Sequence, residues 1–304
     1  MKKLLLTLMA SAALGAASAQ VVEVAEIAQV PTPEGMSVNI ARISPDGSFA
    51  VFSNNFNNSL QRIDLRGGSV STVTANGSAL DLRFTPDGST AIFRTTTTNP
   101  ATRLRYHALQ SMNLASGRAT ALTAPQRHCA AFTITADGNV TIADSGVHRA
   151  CAPSGRAVSA PRAAVVNINR GHLELTTADG VTTNLDPQGH GSYLWPALSP
   201  DGTKVVYYLV GHGCFVCNLD GSDVHALGYI HGPQWLNDST IIGFQDYDDG
   251  QVVTASAIVA ADFNGTIQPL TPDTIIGLYP SASADGKTIL FSAADGSLYR
   301  ISLK

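Results

Sequence analysis

The sequence predicts an all-β protein, a β-propeller of six or seven four-stranded blades. Three observations lead to this prediction. Charged residues make up 14% of the 304 residues and glycine occurs 27 times, a balance that favours many turns over charged helical faces. No stretch has the apolar spacing of a long amphipathic helix. The third observation, a turn motif that recurs between short apolar strands, is the most informative.

The motif is Ser, Thr or Ala, then Pro or Ala, then Asp-Gly, with an apolar strand on each side. Asp bonds back to its own backbone and Gly takes a positive φ, so the motif predicts a tight hairpin. Clear or weaker copies begin at Ser44, Thr85, Thr135, Ser199 and Ser283, and Asn237-Asp238-Ser239 is a degenerate sixth. Each copy predicts the hairpin that joins the first two strands of a blade.

A second hairpin usually follows about ten residues later and completes a four-stranded meander. Repeats of about 40 residues with four strands are typical of propeller blades. Candidate blades span residues 37–76, 79–124, 129–161, 163–187, 193–229, 231–272 and 277–304. The fourth candidate has three strands and no Pro-Asp-Gly turn, so the count is seven if it stands alone and six if it merges with its neighbour.

The two ends of the chain are expected to meet. The last candidate blade ends on its third strand, and residues 22–30 can supply the missing fourth. An N-terminal strand that joins the C-terminal blade would close the ring and remove its exposed edges.

The Ser-Pro-Asp-Gly turns and their flanking strands resemble the WD-like repeats of TolB-like bacterial β-propellers and of the propeller domains of prolyl-oligopeptidase-type peptidases. The resemblance covers nearly all of the chain after residue 19. It implies the propeller fold, and similarity to TolB implies protein–protein interaction in the bacterial envelope. The N-terminal α/β domain of TolB has no evident counterpart here. The peptidases carry their catalytic serine in a separate domain, so the resemblance does not imply peptidase activity.

The first residues predict an export signal. Lys2 and Lys3 form a positive n-region, residues 4–14 are apolar, and Ala17-Ser18-Ala19 fits the cleavage pattern. We therefore expect a signal peptide over 1–19, a single propeller over 20–304, and a mature protein in the periplasm or secreted, without a membrane span. The net charge of −4 does not favour a nucleic-acid partner.

The four cysteines do not predict a metal or redox pair. Cys214 and Cys217 lie three residues apart in a predicted strand and face opposite sides, which disfavours a disulfide or a zinc site. Ordinary buried or free thiols are the favoured interpretation, and a link between Cys129 and Cys151 stays open.

The candidate site lies in the loops opposite the Asp-Gly turns, because loops on a rigid scaffold commonly carry function. Several of these loops belong to two adjacent blades, the fifth and sixth. The candidate residues for ligand or partner binding are His190, Tyr193, Trp195, His212, His231, Trp235, Asp246, Tyr247 and Asp248. The alternative interpretation is that the histidines act independently and the aromatic side chains pack between blades.

No metal, cofactor or catalytic residue is assigned. Histidines with carboxylates can ligate a divalent metal, but residues 246–250 fall one residue short of a calcium loop and no Glu follows at the required distance. A polar hairpin turn is the favoured interpretation. Arg83, Arg94, Arg103 and Arg105 form a basic cluster in the second blade, interpreted as solvated edge positions.

The predicted function is a binding or scaffolding module for a protein or peptide partner, favoured over an enzyme. No Gly-x-Ser-x-Gly motif occurs in the chain. One alternative is a hydrolase or lyase with its active site at the mouth of the channel. Another is a non-catalytic propeller that pairs with a separately encoded peptidase.

Overall fold

The computed structural model describes residues 20–54 and 59–304, which form seven antiparallel sheets. The expected export signal, residues 1–19, lies outside the described residues. Across the described part there are strands and no helices, so none of it forms a helix that could cross a membrane.

The strands follow one another from blade to blade. The N-terminal strand is β1 (Val24–Gln29). Blade 1 contains β2 (Ile40–Ile43), β3 (Phe49–Ser53), β4 (Leu60–Asp64) and β5 (Val70–Thr74), and blade 2 contains β6 (Ser78–Phe84), β7 (Thr90–Thr98), β8 (Arg105–Asn113) and β9 (Ala119–Ala121). Blade 3 contains β10 (Ala131–Ile134), β11 (Val140–Asp144) and β12 (Val147–Cys151), and blade 4 contains β13 (Val165–Asn169), β14 (His172–Thr176) and β15 (Thr182–Asn184).

The remaining three blades have four strands each. Blade 5 contains β16 (Tyr193–Leu198), β17 (Lys204–Leu209), β18 (Gly213–Asn218) and β19 (His225–Gly228), and blade 6 contains β20 (His231–Asn237), β21 (Thr240–Asp248), β22 (Val253–Asp262) and β23 (Ile267–Pro269). Blade 7 contains β24 (Gly277–Ala282), β25 (Thr288–Ala293) and β26 (Leu298–Leu303), completed by β1.

The molecule is a seven-bladed β-propeller. The first strand of each blade lies innermost, and these seven strands surround a central channel. Blade 4 forms a separate sheet, so the number of blades is seven rather than six. Blades 3 and 4 are three-stranded, and the other five blades have the four strands that the repeat predicted.

Where the motif begins with Ser or Thr, the hydroxyl of that residue closes the hairpin, whereas in blade 6 Asn237 Oδ1 accepts from Ser239 instead. In blade 5 the Ser199 hydroxyl donates to Asp201 Oδ1 (2.5 Å) and accepts the backbone N–H of Lys204 (2.9 Å), while Gly202 has φ +71°. The hydrogen bond from Ser199, with that from the Thr203 N–H, keeps the pKa of Asp201 below its usual value. The same hydroxyl–carboxylate bond recurs at Ser44–Asp46, Thr85–Asp87, Thr135–Asp137, Thr177–Asp179 and Ser283–Asp285.

Blade 4 contains this turn at a different place from the other copies. Thr177 to Gly180 connects β14 to β15 rather than the first two strands of the blade. The Tyr193 N–H donates to Gly171 O (3.0 Å), which places the β13–β14 turn on the loop face. Strand β13 therefore runs from the turn face to the loop face, opposite to the other six innermost strands.

Apolar side chains join six of the seven pairs of neighbouring blades. Among the described residues, six buried apolar clusters each bridge two adjacent blades, and none bridges blades 3 and 4. That junction is polar: the Ala163 N–H donates to Thr141 Oγ1 (3.0 Å), and Arg162 donates to the carbonyls of His148 (3.0 Å) and Asp179 (3.2 Å). Because apolar burial is the main drive for packing, we expect this junction to be the least stable of the ring.

The predicted closure of the ring is confirmed. Strand β1 pairs antiparallel with β26, from Val24 opposite Leu303 to Gln29 opposite Tyr299. The Val30 N–H donates to Leu298 O (2.8 Å) at one end. The outermost strand of blade 7 is therefore supplied by the start of the chain.

We expect Gly202→Val to lower the free energy of unfolding by about 1–2 kcal/mol, since a β-branched residue resists a positive φ. An added Cβ would meet no atom within 4 Å, so the cost comes from the backbone rather than from a clash. The matched variant is Gly202→Asn, which tolerates this conformation better and should cost less. Urea denaturation measures both, and equal losses would contradict the assigned turn.

The register of the closing strand predicts two different proline effects. Hydrogen-bonded pairs alternate along an antiparallel ladder, so the bond of Val30 to Leu298 directs the N–H of Ala28 toward β26 and that of Gln29 outward. Ala28→Pro should remove a ladder bond and lower the free energy of unfolding by about 1–3 kcal/mol. Gln29→Pro should cost clearly less. The reverse order in thermal unfolding would show that the register is shifted.

Candidate functional site

The innermost strands enclose a channel with a cavity volume of about 1210 Å³. Strands of all seven blades contribute to its wall. A cavity of this size accommodates a small ligand or an inserted side chain. Of the candidate residues, Trp195 and Trp235 line this channel.

Three consecutive blades carry the same bulge in their innermost strand. The bulges are Trp195-Pro196, Gly232-Pro233 and Tyr279-Pro280, and in each the register shifts because two residues lie opposite one. The first residue of each pair has a positive φ, of 49°, 53° and 51° respectively. A bulge re-aims a side chain, and Trp195, Gly232 and Tyr279 all line the channel.

The sequence contains a signal for these bulges. Each of the three prolines stands five residues before the Asp of the following turn, at Asp201, Asp238 and Asp285. A proline inside an innermost strand removes a ladder donor and marks a bulge. The positive φ of Trp195 is strained for an aromatic residue, and such strain concentrates at functional positions.

A hydrogen-bonded network connects blades 5 and 6 beneath Trp195. His231 Nδ1 lies 2.5 Å from Asp246 Oδ1, and His231 Nε2 lies 2.9 Å from the Tyr208 hydroxyl. A carboxylate can only accept, so Nδ1 carries a proton, and in the neutral imidazole Nε2 then accepts from the tyrosine. Burial raises the pKa of Tyr208, so its hydroxyl stays protonated as this donor. The network fixes the imidazole ring in one orientation.

The His231 ring is also the centre of a set of aromatic contacts. Trp195 lies with its ring centroid 5.4 Å from Tyr208 and 5.7 Å from His231. His231 contacts Phe244 at 5.8 Å, and Phe244 contacts Tyr279 at 5.3 Å. These spacings suit edge-to-face packing. The rings span blades 5, 6 and 7 and hold the Trp195 side chain in place.

Large apolar side chains are exposed together on the loop face of blades 5 and 6. This blade 5–6 patch consists of Leu194, Trp195, Val210, Tyr229, Tyr247 and Val252, and Tyr247 is 70% exposed. Its loops are tied to one another, since the Tyr229 hydroxyl donates to Gly211 O (3.2 Å) and Gln245 Nε2 donates to Tyr229 O (2.9 Å). Clustered exposed apolar groups mark an interaction surface, whereas scattered ones do not.

The structure brings some of the predicted residues together. Trp195, His231 and Asp246 meet in the network, and Tyr247 belongs to the patch beside it. Tyr208 completes the network and was not among the candidates. Its position in the middle of the apolar strand β17 gave no sign of a polar role.

Other predicted residues have structural roles or lie apart. The Tyr193 side chain is fully buried, and its hydroxyl donates to Gly189 O (2.9 Å), which pins its own loop. Trp235 Nε1 donates to Ala197 O (3.0 Å) and so joins the innermost strands of blades 5 and 6. His190 packs against His172 at 5.9 Å on the blade 4 side, and His212 is an exposed turn residue.

Residues 246–248 end strand β21, and residues 249–252 form the hairpin turn that leads into β22. Asp248 Oδ1 accepts the Gly250 N–H (2.8 Å), and Asp249 Oδ1 accepts the N–H groups of Gln251 and Val252 (both 2.9 Å). These carboxylates are used by the turn itself. Within residues 20–54 and 59–304, no three His, Cys, Asp or Glu side chains converge on a point that could hold a metal ion.

The cysteines are free thiols, including Cys129 and Cys151. Cys214 packs between blades 5 and 6 and Cys217 between blades 4 and 5, which confirms that they face opposite sides of β18. Burial raises the pKa of Cys217 to about 12 and also raises that of Cys214. Thiols held protonated in this way are poor nucleophiles and metal ligands.

A Ser, His and Asp set on blade 3 has the composition of a catalytic triad without its geometry. Asp144 Oδ1 and the Ser145 hydroxyl lie 2.5 Å and 2.7 Å from the same nitrogen of His128, Nε2. A triad needs the carboxylate on one ring nitrogen and the nucleophile on the other. This group therefore cannot pass a proton from serine through histidine in the triad manner.

Of the arginines interpreted as solvated edge positions, Arg83 is exposed on β6, the channel-side edge strand of blade 2, whereas Arg94 lies on the second strand and pairs with Asp81. They lie on β6 and β7, the two innermost strands of blade 2, and both line the channel. The sequence interpretation assumed that charged residues lie at solvent-exposed edges. In the folded blade, the first two strands lie next to the channel.

No protein-family model matches the chain, and no curated protein matches it. Solved structures are similar in fold. A chain of the mitotic checkpoint complex has a TM-score of 0.55 and 13% identity, covering 99% of this chain and 98% of that one. An oligogalacturonate lyase in complex with manganese has a TM-score of 0.50 and 17% identity, covering 89% and 78%.

TolB from Acinetobacter baumannii has a TM-score of 0.50 and 14% identity, covering 76% of this chain and 53% of that one. The chain therefore spans about half the length of that TolB. At these identities the likenesses concern the fold, and together with the seven sheets they establish that this chain is a β-propeller.

Proposed function

We propose that the protein is a binding or scaffolding module that docks a protein or peptide partner on the loop face of blades 5 and 6. The observation that carries this proposal is the blade 5–6 patch, where six large apolar side chains are exposed on the loop face of two adjacent blades and one of them, Trp195, lines the channel. Interfaces are enriched in tyrosine and tryptophan at their centre, and such residues dominate binding energy.

Rigidity of the patch supports the proposal. Trp195 is held by its bulge and by ring contacts to Tyr208 and His231. His231 is held in turn by Asp246 and Tyr208. A side chain that is already fixed loses little entropy when a partner binds, so its contact area converts more fully into affinity.

Two further features agree with this function. One of the proteins similar in fold is part of a complex, the mitotic checkpoint complex, and the sequence of residues 1–19 has the pattern of an export signal. We therefore propose that the module acts in the periplasm or outside the cell, on a partner of the bacterial envelope.

The test is affinity capture from envelope extract with residues 20–304 as bait. The variant Trp195→Asn with Tyr247→Ser should reduce partner retention at least about tenfold, since loss of a central aromatic side chain typically costs about 2 kcal/mol or more. Asn at 195 tolerates the positive φ of that position.

The matched control changes Val147→Ser and Val181→Ser, which are both 55% exposed but lie on blades 3 and 4. It should leave retention unchanged. Equal loss in the control, or full retention by the patch variant, would refute docking on blades 5 and 6. A captured peptidase would identify the partner as the catalytic subunit of a two-chain enzyme.

A second candidate, acid–base catalysis at the channel mouth, is favoured by one observation. Asp246 and Tyr208 engage different nitrogens of His231, the order that a proton relay requires. Against it, both nitrogens are occupied within the protein and Tyr208 is 7% exposed. Turnover of an envelope glycan or small molecule that disappears in His231→Gln, with partner retention unchanged, would favour the enzyme.

A further inference from the structure

The channel wall of blades 1 and 2 contains three arginines, and one carboxylate, Asp81, is in direct contact with one of them. Arg42 lies on β2, Arg83 on β6 and Arg94 on β7, and all three line the cavity. Arg94 donates to Asp81 Oδ2 (2.6 Å) and to Ala130 O (3.0 Å). The other two guanidinium groups have no ion pair with any described carboxylate.

Backbone carbonyls fix the two unpaired guanidinium groups. Arg42 Nη2 donates to Leu80 O (2.7 Å), and Arg83 Nη1 donates to Phe132 O (3.2 Å) while its guanidinium carbon lies 5.2 Å from the centre of the Phe132 ring. A guanidinium has five N–H donors. Among the described residues each of these two groups uses one of them in a hydrogen bond, so the wall has donors to offer to a ligand in the channel.

The positive charges of this wall repel one another. The pKa of Arg42 is lowered to about 10, mainly because the surrounding protein desolvates it; the charge of Asp81 opposes this shift and that of Arg83 adds to it. The pKa of Arg83 is lowered in the same way, by burial and by Arg94. An anion in the channel would relieve this repulsion.

The other carboxylates of the channel wall have partners of their own. Asp144 accepts hydrogen bonds from Gln126 (2.6 Å) and contacts His128 (2.5 Å), and Glu174 Oε1 accepts from Asn169 (2.9 Å). These groups belong to blades 3 and 4 and do not neutralise the arginines of blades 1 and 2.

We propose that Arg42 and Arg83 form a binding site for an oxyanion, a carboxylate or phosphate group carried by a small ligand that enters the channel. The planar guanidinium fork matches both groups through paired hydrogen bonds. The cavity of about 1210 Å³ leaves room for the rest of the ligand. This site lies on a different part of the ring from the blade 5–6 patch and does not depend on the proposed docking function.

Isothermal titration of residues 20–304 with citrate and with inorganic phosphate tests the proposal. Binding of either anion is expected, with an affinity that falls as salt is added. Arg42→Gln and Arg83→Gln should each weaken it about tenfold or more, because each removes a charge-assisted hydrogen bond. Preference for citrate or for phosphate identifies the ligand as a carboxylate or a phosphate compound.

The matched control is Arg118→Gln, an exposed arginine in the turn between β8 and β9 outside the channel. It should leave the affinity unchanged. Absence of binding by both anions, or an equal loss in Arg118→Gln, would overturn the proposal.

Thermal unfolding separates a lost site from a lost fold. Without ligand, Arg83→Gln should keep or raise the Tm, since it removes like-charge repulsion, and Arg42→Lys should bind with intermediate affinity because it keeps the charge without the fork. If both glutamine variants have a lower Tm and Arg42→Lys binds the anion fully, the role of these arginines is to stabilise the fold and the proposed site is contradicted.

Discussion

The pairing of β1 with β26 is the constraint on which the structure depends. A blade buries its two faces only against a neighbour on each side, and blade 7 has a complete sheet only when the start of the chain pairs with its end. Closing so large a loop costs entropy before the contacts are gained. Once closed, the ring holds the innermost strands at fixed positions, and both the channel and the patch on its mouth follow from that geometry.

The periodic part of the fold could be predicted from the sequence because its signals are local. The hydroxyl, carboxylate and glycine of one turn are neighbours in the chain, as Ser199, Asp201 and Gly202 illustrate. The details of blade 4 were not predicted. Its turn at Thr177 follows β14, and its innermost strand runs in the direction opposite to the innermost strands of the other blades. Strand direction depends on how blade 3 ends, and no short motif encodes that.

The contacts within the candidate site could be predicted only in part. Polar and aromatic residues on the loops of blades 5 and 6 were visible in the sequence, and Trp195, His231 and Asp246 do meet there. Tyr208 and the arginines of the channel were missed for a common reason. Both depend on which side of a strand faces the channel or the next blade, and a strand with apolar residues on both faces does not reveal it.

The three bulges in consecutive blades have a consequence for how such a protein can change. Each places one residue at the channel, and the ladder resumes on either side of the two-residue bulge. That position holds Trp in one blade, Gly in the next and Tyr in the third. Substitutions at these three positions can therefore change the width and chemistry of the channel mouth one residue at a time, while the strands of each blade stay the same.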